Sequence, residues 1–260
     1  MRPVLFQIWG FNIYGYGTMI AIGIISALML LSYRTKKRGY NEDKIFDMSM
    51  LAILLGVLGG KLLYIITDIK NIIENPAVLK DIGSGFVVYG SILGGVLGVC
   101  IYCRIKKWDL LKIIDLAIPS LPLAQGFGRI GCFFAGCCYG RETALPIGVI
   151  FPNVPLSLAP IGLHLIPTQI YSSVFDFTLA AFLLWYDKRE RKSGRLFSLY
   201  LIIYSIGRFF VEFFRDDVRG NIGLLSTSQF ISLFIIVLGV LLYNYELISI
   251  WLKKNRKGSC

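Results

Sequence analysis

An all-α membrane fold of seven transmembrane helices is the class this sequence predicts, and three observations predict it. Of the 260 residues, 55% are hydrophobic and only 17% charged, with a mean hydropathy of +0.66, too apolar for a soluble domain. Apolar runs recur along the whole chain, each near the roughly 20 residues that a bilayer-spanning helix needs. Lys and Arg collect in alternate loops, as they do in polytopic membrane proteins. A large soluble enzyme domain is excluded, because seven spans use most of the chain.

The elements follow in order. The opening MRPVLFQIWGFNIYGYG carries a short apolar run broken by Gly and Asn, without a small-x-small cleavage pattern, and reads as mature protein. Spans are expected at Tyr14–Tyr33, Phe46–Ile66, Gly85–Tyr102, Leu110–Phe127, Pro167–Trp185, Leu196–Phe214 and Ser228–Ile248. The basic stretches Arg34–Lys44, Cys103–Asp109, Tyr186–Arg195 and Leu252–Cys260 hold five, three, five and four Lys or Arg residues. They follow spans one, three, five and seven, so the N-terminus is expected outside and the C-terminus in the cytoplasm. The longest segment without a span, Gly128–Ile166, combines glycines with Pro146, Pro152, Pro155 and Pro160. It reads as a re-entrant turn and external segment around 128–166 within a single transmembrane domain, 1–260.

The net charge of +11 raises nucleic acid as a partner. Topology answers it: 17 of the 27 basic residues orient the chain and meet anionic lipid. Six more (Arg2, Lys70, Lys80, Arg141, Arg215 and Arg219) are scattered on the outer side. Four remain in or beside the spans: Lys61, Lys112, Arg129 and Arg208, together with Asp115, Asp176 and Glu212. Each such group costs about 2.5–3.5 kcal/mol at mid-membrane on insertion scales, so it marks a site or a paired bridge.

The orientation puts Lys61 near the outer end of span two, Arg129 just past the outer end of span four, and Arg208 with Glu212 in the outer third of span six. Arg208 and Glu212 are spaced i, i+4 and can pair, either as a structural bridge or as part of a site. With Arg129 and Lys61 beside them the cluster is expected to be net cationic, suited to a phosphate gripped by the guanidinium fork. Lys112 and Asp115, three apart at the inner end of span four, are expected to snorkel or to form a local pair.

Around Arg129, GRIGCFFAGCCYG places glycines at 128, 131, 136 and 140. Gly131 and Gly140 would let the backbone approach a headgroup closely, although small-residue helix packing also enriches glycine. Cys132, Cys137 and Cys138 are open to a disulfide, reactive thiolates or simple packing. Cys100 and Cys103 fall at the opposite membrane face and read as packing, so no metal site joining all five is expected. His164, the one histidine, reads as an ordinary loop residue. Tyr16 and Tyr89 start spans one and three on the side of the cations, where aromatic-belt anchoring also places tyrosines.

GRIGCFFAGCCYG from 128, PTQIYSS from 167, GRFFVEFFRDD from 207, LGGKLLYII from 58 and YGYGTMI from 14 together resemble the prolipoprotein diacylglyceryl transferases, a family of bacterial membrane enzymes. The resemblance covers nearly the whole chain in order. It implies transfer of the diacylglyceryl group of phosphatidylglycerol to the lipobox cysteine of a prolipoprotein, in the cytoplasmic membrane with the site toward the outer leaflet. It implies a monomer without cofactor or metal. Arg129 falls on the arginine of the family's GRxGN segment, Arg208 and Glu212 on its RxxxE segment, Tyr16 on its early YG tyrosine, and Gly140 on the last glycine of the signature.

This chain departs from the family pattern at five positions. Cys132 stands for Asn, Cys137 for Glu, Tyr89 for a histidine, Lys61 for an arginine, and Ile166 for another histidine. The expected site is therefore Arg129, Arg208 and Lys61 with Gly131 and Gly140 for the lipid, and Tyr89, Tyr16 and Glu212 for the chemistry. Two other readings of the residues are a transferase with a different acceptor or a thiol-based site, and a non-catalytic lipid-binding or transport protein.

Overall fold

The computed structural model describes residues 4–8, 11–75, 85–152, 157–189, 192–217, 220–223 and 225–245. Arg2, Lys80, Arg219 and the basic tail lie outside them. The chain is mostly helical and divides into two compact units, Leu31–Ile113 and the pair of segments Met1–Leu30 with Ile114–Cys260. Among the described residues three helices are long and apolar enough to cross a membrane: α1 (Gly15–Lys37), α2 (Glu42–Thr67) and α4 (Val88–Lys106). A fourth candidate is the bent pair α5 (Leu110–Ala117) and α6 (Ser120–Ala135).

Unit 31–113 is built on α2 and α4, with the short α3 (Ile69–Glu74) after α2. Asn41 caps α2 by accepting from the Lys44 amide at 2.9 Å, ahead of Glu42 and Asp43 in the first turn, where negative charge suits the helix dipole. The two helices meet through glycines: a Cβ on Gly59 would run into the Gly90 carbonyl, and one on Gly94 into that of Leu55. Between apolar spans the hydrophobic effect adds little, so close backbone approach is what joins them.

In the other unit a two-stranded ribbon, β1 (Val4–Ile8) with β2 (Phe11–Tyr14), runs into α1. Two shorter ribbons, β3 (Val149–Ile150) with β4 (His164–Leu165) and β5 (Asn221–Ile222) with β6 (Leu225–Ser226), add to the helical frame. Its long helices are α6, α7 (Thr168–Tyr186), α8 (Arg195–Glu212) and α9 (Thr227–Tyr243). Leu179, Leu183, Leu196 and Tyr200 join Ile118 in the buried core between them. A capping box of Ser226 with Gln229 starts α9.

Three expectations change here. Span four is not one straight helix, because α5 and α6 meet at a 41° bend. Pro119 and Pro122 each lack the amide that would continue the ladder, and their rings crowd the preceding turn. Consequently Arg129 lies inside α6, and Gly128–Ala135 is helical backbone rather than a turn. Irregular backbone begins at Gly136, whose φ of +67° ends the helix in the left-handed region.

The local pair of Lys112 with Asp115 is the third. Lys112 meets Asp109 at 3.8 Å, whereas Asp115, 1% exposed, accepts from the Gly194 and Phe197 amides at 2.8 and 2.9 Å. A helix start leaves its first amides without partners, and α8 begins on Gly194 with no side-chain cap of its own. A buried carboxylate 79 residues upstream fills that role.

Candidate active site

Arg129 on α6 and Arg208 on α8 line one cleft, with Ser172, Phe175 and Asp176 from α7 and Tyr204, Gly207 and Val211 from α8. α7 is tied to α6 where Ser173 Oγ donates to the Gly126 carbonyl at 2.9 Å, and α6 to α8 where Tyr200 OH donates to Gln125 Oε1 at 3.2 Å. The cleft holds only about 10 Å³ of cavity, on the order of one water. A phosphate can enter only as these side chains part.

Arg208 forms an ion pair with Glu212, Nη1 to Oε2 at 2.9 Å, and donates to Ser228 Oγ, at the start of α9, at 3.1 Å. The i, i+4 spacing thus forms the expected pair, with the Glu212 side chain 5% exposed. The surroundings are less cationic than the sequence reading expects. Asp176, 2% exposed, has an Oδ2 without a hydrogen-bond partner and lies within electrostatic reach of both Arg129 and Arg208. Arg208 also feels Arg215, which Asp217 holds by two bonds of 3.1 and 2.9 Å. Asp176 and Glu212 offset the two lining arginines, so the cleft as it stands is close to neutral.

The three cysteines form a cluster of their own. The Sγ atoms of Cys132, Cys137 and Cys138 all lie within 4.8 Å of one another, half-buried. Cys137 N donates to the Cys132 carbonyl at 3.1 Å, Gln169 Nε2 to the Cys137 carbonyl at 2.7 Å, and Thr168 Oγ1 to the Cys138 carbonyl at 2.6 Å. Beyond the end of α6, hydrogen bonds from the Cys132 and Cys137 thiols, with the Arg215 and Arg129 charges behind them, hold the Cys138 thiol below the usual thiol range.

Gly140 continues this segment as the middle of three strands' worth of backbone. Its amide donates to the Ile166 carbonyl and the Arg141 amide to the Phe214 carbonyl, both at 2.9 Å. A Cβ there would lie 2.7 Å from Ile166 O and 2.8 Å from Phe214 O. Gly140 is thus enclosed by backbone, and Gly131 packs against Tyr16 and Met19 of α1. Tyr16 itself is 45% exposed and near enough to Arg129 and the three thiols to feel their charges.

Lys61 and Tyr89 belong to unit 31–113. The Lys61 ammonium sits over the rings of Tyr64 and Phe86 at 5.6 and 5.3 Å, where the ring faces attract a cation. Tyr89 stands in the first turn of α4, 46% exposed. His164 is exposed on β4, and Cys103 is buried in α4.

Ser172, Tyr204 and Arg215 are neighbours that sequence reasoning left without a role, and Asp176 it marked only as belonging to a site or a paired bridge. A periodic signal exists for Asp176 and Tyr204. Gln169, Ser173 and Asp176 recur at spacings of four and three on α7 and are all buried, while Tyr200, Tyr204 and Arg208 recur every four on α8. A polar stripe at helical spacing inside an apolar span is a facing wall.

The prolipoprotein diacylglyceryl transferase family model matches residues 3–245. The chain is 63% identical, over 95% of its length and 98% of the relative's, to a phosphatidylglycerol–prolipoprotein diacylglyceryl transferase of Clostridium tetani. It is 56% identical, over 94% and 95%, to such an enzyme numbered 2 in Clostridium perfringens, and 34% identical, over 94% and 93%, to one of Dehalococcoides mccartyi. The chain belongs to the prolipoprotein diacylglyceryl transferase family.

Proposed function

We propose that this chain transfers the sn-1,2-diacylglyceryl group of phosphatidylglycerol to the lipobox cysteine thiol of a prolipoprotein, forming a thioether and releasing glycerol phosphate. Family membership supports the reaction, and the joint lining of one cleft by Arg129 and Arg208 is the observation that carries the site. As the C–O bond breaks, negative charge grows on the leaving phosphate, and guanidinium donors already in place lower that barrier. Arg129 and Arg208 bind the phosphate, and Glu212 holds the Arg208 fork through their 2.9 Å ion pair.

The acceptor thiol, ordinarily near pKa 8.5, must react as thiolate. Tyr16 or Tyr89 takes its proton or positions it, Lys61 assists with the phosphate, and Gly131 and Gly140 keep the surrounding backbone close. The protein acts as a monomer in the bacterial cytoplasmic membrane, with the site toward the outer leaflet. α7, α8 and α9, of 19, 18 and 17 residues, complete a count of seven spans with the N-terminus outside, a reading supported by the alternation of basic loops.

The test is reconstitution of the purified chain with labelled phosphatidylglycerol and a lipobox peptide. Thioether product that disappears in Arg129→Ala is expected. Absence of product from the wild-type chain, under conditions where another member of the family is active, overturns the assignment.

A further inference from the structure

We propose that Cys132, Cys137 and Cys138 bind one zinc ion whose open fourth position takes the acceptor cysteine and delivers it as thiolate. This deepens the transferase reading and rests on it for the identity of the fourth ligand, but not for the metal site itself.

The geometry fits a three-thiolate ion. Zinc bonds sulfur at about 2.3 Å in a tetrahedron, which sets neighbouring sulfurs roughly 3.8 Å apart. The three Sγ atoms already lie within 4.8 Å of one another, so rotation about side-chain bonds closes the difference. A disulfide fits less well. Consecutive Cα atoms are about 3.8 Å apart, below the usual disulfide range of about 4.4–6.8 Å, which disfavours Cys137 with Cys138. Any other pairing leaves a thiol over.

The segment is also held ready. Cys132 is the last-turn residue of α6, Gly136 reverses the chain at φ +67°, and Cys138 takes the left-handed conformation at φ +62°. That reversal folds Cys137 and Cys138 back toward Cys132, and the bonds from Gln169, Thr168 and the Cys132 carbonyl fix it. Three thiolates on Zn(II) carry a net charge of −1, and Arg215 and Arg129 lie within electrostatic reach of Cys138, so part of that charge is screened. Half-burial of all three residues leaves a side from which a fourth ligand can approach. A closed structural site would have used a fourth protein ligand.

Placement then gives the chemistry. Cys132 follows Arg129 by three residues on α6, so the two share a face, and a thiolate held there stands beside a phosphate held by Arg129. A thiol that coordinates zinc is deprotonated outright, its proton passing to solvent. The sulfur lone pair forms the S–C bond to the glyceryl carbon as the C–O bond breaks, and the electron pair of that bond leaves on the glycerol phosphate. No atom changes oxidation state. Two of the three thiols stand where the family pattern carries Asn and Glu, so the device belongs to this chain's departure from that pattern.

The experiment uses the full detergent-solubilised chain without lipid. It is titrated with Zn(II), and with Co(II) as a spectroscopic probe of tetrahedral sulfur ligation. Uptake of about one metal per chain is expected, lost in Cys132→Ser and in Cys138→Ser. A lipobox peptide should shift the Co(II) spectrum, and the same peptide with Ser for Cys should not. No uptake by the wild-type chain, or uptake unchanged in the triple Cys→Ser variant, overturns the proposal. Thioether formation that proceeds at full rate after chelation overturns the metal's role and leaves diacylglyceryl transfer standing. Cysteine-dependent uptake with the peptide shift, in a chain that makes no thioether, supports the site and refutes the transferase reading instead.

Discussion

Gly140→Ala is expected to destabilise the protein before it disturbs any ligand contact. The added methyl would sit 2.7 Å from Ile166 O, 2.8 Å from Ile166 Cβ and 2.8 Å from Phe214 O, roughly half an ångström to an ångström inside ordinary non-bonded separation. Two of those atoms are backbone, and both flanking segments are pinned to 140–141 by 2.9 Å hydrogen bonds, so neither can swing aside as a side-chain tip would. Overpacking of this kind costs about 1–3 kcal/mol, and enclosure by backbone on both sides argues for the upper end. For a chain of this size that lowers the melting temperature by roughly 6–12 °C. Thermal unfolding in detergent reads the stability, and steady-state transfer with labelled phosphatidylglycerol reads the activity. The expected result is a lower melting temperature with a fall in kcat, because the same segment carries Cys138 and abuts the end of α8. An unchanged melting temperature with a raised KM for lipid alone refutes the packing argument and makes Gly140 a lipid contact.

Other consequences follow from particular contacts. Arg208→Lys keeps the charge but loses the planar fork shared between Glu212 and Ser228, and kcat/KM should fall by about 10²–10³ if this donor acts in the transition state; a change below threefold in the transfer assay contradicts that role. Asp176→Asn removes the carboxylate that faces both lining arginines, so the lipid headgroup meets less competition and KM should drop; a rise shows that Asp176 positions Arg129 or Arg208 instead. Asp115→Asn puts an amide donor against the Gly194 or Phe197 amide and should cost about 1–3 kcal/mol of stability, seen as earlier unfolding. Gly94→Leu must push α4 off α2 at the Leu55 carbonyl, and loss of folded protein on size-exclusion chromatography is expected.

Much of the helical frame was legible because an apolar stretch near membrane length has few other structures available to it. The expected spans Tyr14–Tyr33, Phe46–Ile66 and Pro167–Trp185 correspond to α1, α2 and α7 within a few residues, and the Arg208–Glu212 pair follows from helix spacing alone. The bend before Ser120 was equally present, in Pro119 and Pro122, but a hydropathy run does not register two missing amides. The extended ribbons near β3 and β6 were not legible. Two-residue strands have no periodicity, and their pairing depends on backbone brought from elsewhere.

By itself, then, the sequence determined that the chain is a membrane protein of largely helical build, which loops carry its charge, which family it resembles, and that Arg208 and Glu212 can pair at helical spacing. The family rests on the matched motifs, and the other conclusions need only composition and local spacing. Tertiary structure alone decided that Asp115 caps α8 from 79 residues away, that Asp176 offsets the two arginines, that Gly140 is enclosed by Ile166 and Phe214, and that Cys137 and Cys138 fold back onto Cys132. Each of these is a contact between distant segments or across a chain reversal, where the partner is set by packing and by the need of buried polar groups for one another, and no local pattern encodes it.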